Sequence, residues 1–297
     1  MVPPSPVSRA PALSRTAINS ISVVIPSFNR LPLLIKALES VYSQKTEVDE
    51  VIVVDDGSDD NTAETIEKLF PGVLLLRQPN LGVSSARNRG IKAAKSQWIA
   101  LLDSDDQWLP GKISAVHEVQ REFPQYLLIH SDEIWIRDGV RVNAMHKHRK
   151  TGGWIFRNCL PLCVISPSAA VINRKVFDQV GYFDDSLPAC EDYDLWLRIC
   201  HQMPVYYIDK ALIYKYGGHA DQLSRKFWGM DRFRVRALQN LLASAQLKAD
   251  DYQAAEAMLI KKLNILLKGA RKHANQSLLD EYSDLADRLN RNSAIPC

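Results

Sequence analysis

The sequence lacks a dominant charge. Across 297 residues, 37 lysines and arginines face 34 aspartates and glutamates, a net charge of +3. That balance gives no ground for nucleic acid as a partner, so any electrostatic argument must be local. Cysteine is scarce: the five, at 159, 163, 190, 200 and 297, form no Cys-x-x-Cys pair and no zinc-ligand spacing. This argues against a disulfide framework and points to reduced thiols in a cytoplasmic setting. Long apolar runs are missing. No stretch reaches the roughly 18 uninterrupted apolar residues that a spanning helix needs, and prolines interrupt the N-terminal segment where an export signal would require an apolar run. Two phosphate cradles are absent as well, Gly-x-Gly-x-x-Gly and Gly-x-x-x-x-Gly-Lys-[Ser/Thr]. Their absence argues against a dinucleotide oxidoreductase and a P-loop NTPase.

What is present is an ordinary globular composition, 46% hydrophobic and 24% charged. A Pro-, Ser- and Arg-rich tail over 1–18 cannot bury apolar surface. Beyond it, β-branched runs alternate with helical patterns. The strands are expected at Ile21–Ile25, Val51–Val54, 73–76 and Trp98–Leu102, and the helices over 33–44, 62–70 and 84–95. Near-continuous apolar strands separated by amphipathic helices predict an α/β fold with a parallel sheet covered on both faces. After Asp106 the alternation stops. Strands are expected over 127–136 and 163–173, and a short helix over 192–202. From Phe227 onward, Phe233, Ala237, Leu238, Leu241, Ala255, Leu259 and Leu263 recur at helical spacing. The reading therefore divides the chain into the tail, an α/β domain over 19–225 and a helical extension over 226–297.

In an open parallel sheet, ligands bind beyond the carboxyl ends of the strands. Two predicted strands end there in acids, Asp55-Asp56-Gly57-Ser58 and Asp103-Ser104-Asp105-Asp106. Asp103 and Asp105 offer two hard oxygen donors after a buried strand, an arrangement that suits Mg2+ or Mn2+ shared with a diphosphate. Asp59, Asp60 and Asn61 read instead as caps of the following helix. Arg87 and Arg89 stand near the first turn of the helix opened by the 80–90 loop, where a helix N-terminus and an arginine make an anion site. Glu191, Asp192 and Asp194 open a further helix, with Glu191 and Asp194 expected on one face and Asp192 elsewhere. The basic stretch 137–150, with Arg137, Arg141, His146, Lys147, His148, Arg149 and Lys150, reads as a solvated loop or as a lid over an anionic acceptor. Lys261, Lys262, Lys268, Arg271 and Lys272 accompany an apolar stripe. That stripe packs on the catalytic domain or a second subunit, or attaches at a membrane surface.

Taken in order, ISVVIPSFNR, VIVVDDGSDDNT, NLGVSSARNRGI, WIALLDSDDQW and FDDSLPACEDYDLWLRI resemble the family 2 glycosyltransferases of the GT-A fold, over about residues 20–225. The resemblance implies a Rossmann-like, mostly parallel central sheet flanked by helices. It further implies a nucleotide-sugar donor, UDP- or dTDP-linked, and inversion at the sugar by direct displacement. The acceptor would be a glycan or lipid-linked glycan of cell-surface polysaccharide synthesis, met on the cytosolic side. Pro26 and Phe28 would line the nucleoside pocket, Asp56 would hydrogen-bond the base, and Arg87 would lie near the nucleotide. Asp103 would meet the ribose or the metal, Asp105 would coordinate Mg2+ or Mn2+, and Asp192 would deprotonate the acceptor hydroxyl. In the segment 217–225, His219 would be a further metal ligand and Arg225 a phosphate contact. A nucleotidyltransferase would need a glycine-rich basic loop after the first strand, and residues 26–32 are not one. A non-catalytic sugar-nucleotide binder would have no use for both Asp105 and Asp192.

Overall fold

The structure, a computed structural model, describes residues 19–46, 48–142, 149–218 and 227–293. The N-terminal tail, the segment holding His146, Lys147 and His148, and the segment holding His219 and Arg225 lie outside the described residues. Four apolar strands form the frame: β1 (Ile21–Ser27), β2 (Glu50–Asp55), β3 (Leu74–Arg77) and β4 (Trp98–Leu101). They run parallel in the order β3-β2-β1-β4, and α1 (Leu31–Tyr42), α2 (Thr62–Leu69) and α3 (Val83–Ala93) connect them. Alternate residues face opposite sides. Val23, Ile25 and Val53 pack with Leu34 and Leu38 of α1, while Val24, Ile52 and Val54 pack with Ala86 and Ile91 of α3. Both faces are thereby buried, which explains why these strands read as continuous apolar runs. At Gly90 a Cβ would enter Val24, so the glycine lets α3 rest directly on β1.

Beyond β4 the direction changes. The elements that follow are β5 (Gln107–Trp108), α4 (Lys112–Glu122), β6 (Leu128–Arg137), β7 (Val140–Val142), α5 (Phe156–Cys159), β8 (Val171–Asn173), α6 (Arg174–Val180), α7 (Glu191–Cys200) and β9 (Tyr206–Gly217). Among the described residues they complete a sheet ordered β3-β2-β1-β4-β8-β6-β9-β5. β8 lies antiparallel between β4 and β6, and β9 runs parallel to β6. β7 folds back on β6 through Asp138-Gly139, whose φ values of 50° and 76° are the positive pair a two-residue hairpin requires. The strand expected over 163–173 is a strand only at Val171–Asn173. Its first part is a loop with a 3-10 turn at Pro167–Ala169, where Pro167 has no N–H to offer a ladder. Lys112 Nζ donates to the Ala169 carbonyl at 2.6 Å, and Trp108 Nε1 to that of Ser168 at 3.2 Å, fixing this loop from the sheet side.

Three helices end the chain: α8 (Asp231–Ala243), α9 (Ala249–Lys272) and α10 (Gln276–Ser293). Phe233, Leu238, Leu259 and Leu263 join the same core as Trp196 and Ile199 of α7. Lys262, one of the cations beside the apolar stripe, is buried. Its ammonium donates to the Pro161 carbonyl at 2.9 Å and to Asp231 Oδ1 at 3.1 Å. Among the described residues no helix is long and apolar enough to cross a membrane.

Candidate active site

The carboxyl ends of β1, β2 and β4 open onto a cleft of about 900 Å³ that Pro26, Phe28, Asp56, Arg87, Asp103, Asp105 and Asp192 all border. The loops after β1 and β2 are stitched together on one side. Asn29, at φ 51°, donates its N–H to Ser58 Oγ and accepts from the Asp59 N–H, each at 2.9 Å. Asp60 Oδ2 accepts from the Leu31 N–H at 3.0 Å, so it caps α1. The sequence reading assigned it to the following helix, and Asn61, which does stand at that cap position, gives no side-chain bond there. Gly57 makes the sharp turn between the stitched loops. Its φ is 88°, and a Cβ would come within 2.9 Å of the Asn80 nitrogen.

Asp56 closes the next loop. Its Oδ1 accepts from Gln78 Nε2 at 2.7 Å and from the Leu81 N–H at 2.9 Å, and its Oδ2 accepts from the Gly82 N–H at 2.8 Å. The N-terminus of α3 thus already faces an internal carboxylate, which satisfies donors that an external anion would otherwise take. Arg89, expected at the same anion site, donates to the Arg77 carbonyl instead. Phe28 stands 43% exposed at the rim, an aromatic face open to a planar ligand.

Charges alternate across the floor of the cleft. Arg87 bridges Asp103 Oδ1 and Glu191 Oε1, both at 2.6 Å, with its guanidinium 5.2 Å from the centre of the Phe183 ring. Burial works against its charge, but Asp103 and Glu191 outweigh that cost and hold its pKa above the ordinary value. Burial would raise the Asp103 carboxyl, yet Arg87, with Lys215 and Arg30 behind it, holds it low. Asp105 goes the other way. Burial and the neighbouring Asp103 lift it, against Arg30, whose Nη1 lies 2.8 Å from Asp105 Oδ2. Asp106 is buried, and that burial pushes its carboxyl up to about 7. It accepts from Ser168 Oγ at 2.6 Å and from the Tyr216 N–H at 3.0 Å, with Lys215 Nζ at 3.8 Å. Burial opposes the charge of Lys215, and Asp106, Glu133, Asp103 and Asp105 together raise its pKa nonetheless. Lys150 is not the solvated cation expected from the sequence; it is buried 3.0 Å from Glu133.

Asp103 and Asp105 supply one or two hard carboxylates, which is what a Mg2+ site usually draws from the protein when substrate phosphates complete the shell. Among the described residues no group of three or more His, Cys, Asp or Glu side chains converges as a metal site. The donor set therefore fits a cation shared with a diphosphate better than a closed protein cage.

The first turn of α7 faces the cleft from the other side. Glu191 and Asp194, expected on a common face, are both buried while Asp192 is not, and the two find separate partners. Glu191 turns to Arg87, and Asp194 pairs with Arg198 at 2.7 Å, which also donates to the Val180 and Tyr182 carbonyls. Asp192 has no ion pair among the described residues. Its Oδ1 accepts from the Tyr193 N–H at 2.7 Å, and its Oδ2 lies 3.1 Å from the Cys163 thiol, whose one proton is shared between this carboxylate and the Ile165 carbonyl, also at 3.1 Å. Burial first, and Asp192 second, push the Cys163 thiol well up, so it stays a neutral donor. The sequence reading missed Arg30, Lys215 and Cys163. Arg30 stood in a motif already quoted and Lys215 between two tyrosines at a strand end, whereas nothing in the sequence tied Cys163 to an acid 29 residues away.

The sequence model of the family described as Glycosyl transferase family 2 matches residues 22–181. An Escherichia coli protein named UDP-Glc:alpha-D-GlcNAc-diphosphoundecaprenol beta-1,3-glucosyltransferase WfaP is 30% identical over 186 residues, covering 60% of this chain and 69% of that protein. An uncharacterized glycosyltransferase of Rickettsia conorii is 31% identical over 198 residues, covering 65% of this chain and 32% of the relative. The chain spans about a third of the length of this relative and of two further Rickettsia proteins. In fold, it is similar to residues 1–349 of S. aureus TarS in complex with UDP-GlcNAc. The TM-score is 0.66 at 20% identity, with 82% of this chain and 72% of that chain covered.

Proposed function

Because the chain belongs to glycosyl transferase family 2, we propose that it moves a sugar from a UDP- or dTDP-linked donor to a hydroxyl of a lipid-linked glycan, with inversion. The observation that carries this reading is the division of labour in the cleft: Glu191, Asp103 and Asp105 are engaged by cations, and Asp192, among the described residues, is not. Pro26 and Phe28 hold the nucleoside, and Asp56 braces the loop beside it and offers its remaining acceptor capacity to the base. Asp103 and Asp105 would hold Mg2+ or Mn2+, which when bound supplies positive charge against the diphosphate. Lys215 and Arg87 stand beside the same charge. Asp192 takes the proton from the acceptor hydroxyl as that oxygen bonds to the sugar carbon and the bond to the diphosphate breaks. The lipid-linked acceptor is supported by the E. coli relative, whose name gives a diphosphoundecaprenol substrate.

Partial proton removal by a positioned carboxylate is typically worth about 10²–10⁴ in rate. Asp192→Asn is therefore expected to lose most transfer while its UDP affinity changes by less than about 1 kcal/mol, the pattern of an interaction made chiefly in the transition state. Single-turnover transfer, UDP calorimetry and melting temperature on one preparation test this. Normal transfer by a folded Asp192→Asn protein removes the residue from the mechanism.

A further inference from the structure

The outer face of α9 has no part in the cleft. Between Glu256 and Asp280 the chain carries no acidic residue. Lys261, Ile265, Lys268 and Lys272 follow one another at spacings of four, three and four, which places them in one stripe along a helix. All four are exposed, while Leu259, Leu263, Leu266, Leu267 and Ala270 on the other side are buried. Ile265 is 51% exposed. Trp228, 44% exposed, lies over Gly269, where a Cβ would meet its indole at 4.0 Å, and packs edge-on against His273.

A tryptophan and an isoleucine held among three lysines match a surface that is apolar just beneath an anionic layer. Lysine stems can lie along apolar surface with their ammonium groups at headgroup level, and the indole prefers that same boundary. A second copy of the chain is the wrong partner, since a two-fold contact through this stripe would set the same lysines against each other. We infer that this face docks the chain on an anionic bilayer surface. The opposite, buried face of the same helix reaches toward the cleft. Lys262, next to Lys261, holds Asp231 at 3.1 Å. Asp231 in turn holds Arg234 at 2.8 Å, and Arg234 borders the cleft together with Met230. A docked chain would therefore hold the cleft rim at Arg234 behind α9, two ion pairs from the helix that meets the lipids among which a lipid-linked acceptor lies. That last link rests on the transfer reading; the docking itself does not.

Sedimentation with phosphatidylcholine vesicles, with and without a phosphatidylglycerol fraction, tests the proposal. The full chain is expected to sediment with the anionic vesicles, to stay in solution with the neutral ones, and to be released by salt. A basic residue near an anionic surface is worth about fivefold in binding, so the triple variant Lys261→Gln, Lys268→Gln, Lys272→Gln should bind about a hundredfold more weakly at an unchanged melting temperature. Ile265→Ser should weaken binding without changing its salt dependence. Binding to neither vesicle, equal binding to both, or undiminished binding by the triple variant overturns the docking face. The two readings fail separately. A chain that binds anionic vesicles but transfers no sugar loses the transfer reading alone, and one that transfers to a water-soluble acceptor but ignores both vesicles loses the docking alone.

Discussion

An arginine beside a carboxylate makes it a weaker base, and the first turn of α7 divides its three acids in a way that suits the proposed role of Asp192. Glu191 and Asp194 each have a guanidinium at 2.7 Å or less, whereas Asp192, among the described residues, has only a backbone amide and a thiol. A thiol is a weak donor, here shared with the Ile165 carbonyl, so in the proposed transfer Cys163 can aim the carboxylate without competing strongly for the lone pair that takes the proton. Losing one such hydrogen bond typically costs about 0.5–1.5 kcal/mol, or roughly three- to tenfold. Cys163→Ala is expected to lower kcat by that factor with KM for the donor unchanged, and Cys163→Ser, which restores a donor, to recover most of it. Steady-state kinetics on the two variants decide the point. Equal kcat in wild type and Cys163→Ala would mean that the thiol only fills space.

At the scale of elements, α3 shows how one residue sets a helix against a strand. Replacing glycine by alanine within a helix ordinarily gains about 0.5–1 kcal/mol. At Gly90 the new methyl would enter Val24 and come within 3.2 Å of Val54, and overpacking of that kind costs typically 1–3 kcal/mol. Gly90→Ala is therefore expected to destabilise the chain by about 1–2 kcal/mol in urea unfolding, and a stabilised variant would contradict the close packing. The frame that α3 supports was legible in the sequence because β1, β2 and β4 are apolar runs buried on both faces, and amphipathic helices follow β1, β2 and β3. The second half was less so. β6, expected over 127–136, stands at Leu128–Arg137, but its partner β9 was not expected at all, and the two shift register around Asp132. The 163–173 run was misread because its apolar residues serve a loop whose order comes from Lys112 and Trp108 in another part of the chain.

For the molecule as a whole, buried charge makes stability depend on pH. Burial first, and Lys150 second, bring Lys112 down to about 7 from an ordinary 10.5, with Glu133 opposing. The folded chain then binds this proton more weakly than the unfolded chain, so stability rises with pH between about 7 and 10.5. The slope is roughly 1.4 kcal/mol per pH unit from this one group. Lys112→Met removes that slope, which urea unfolding at two pH values inside the window would reveal. Equal slopes in both proteins would clear Lys112 of the effect. The acids of the cleft were legible because they stand in contiguous motifs at strand ends; their counter-charges were not, because folding alone brings them together. Asp103 and Asp105 meet cations made earlier in the chain, Arg87 and Arg30, but Asp106 meets Tyr216 only 110 residues later, with Lys215 beside it. β4 likewise keeps an unpaired edge until β8 has been made. At about 5–20 residues per second, the wait for Tyr216 lasts roughly 5–20 s on the ribosome. During synthesis, then, a nascent chain holding β1 to β4 has an open sheet edge and an acid without its cation, a hazard for chance strand pairing that ends only when the later strands emerge.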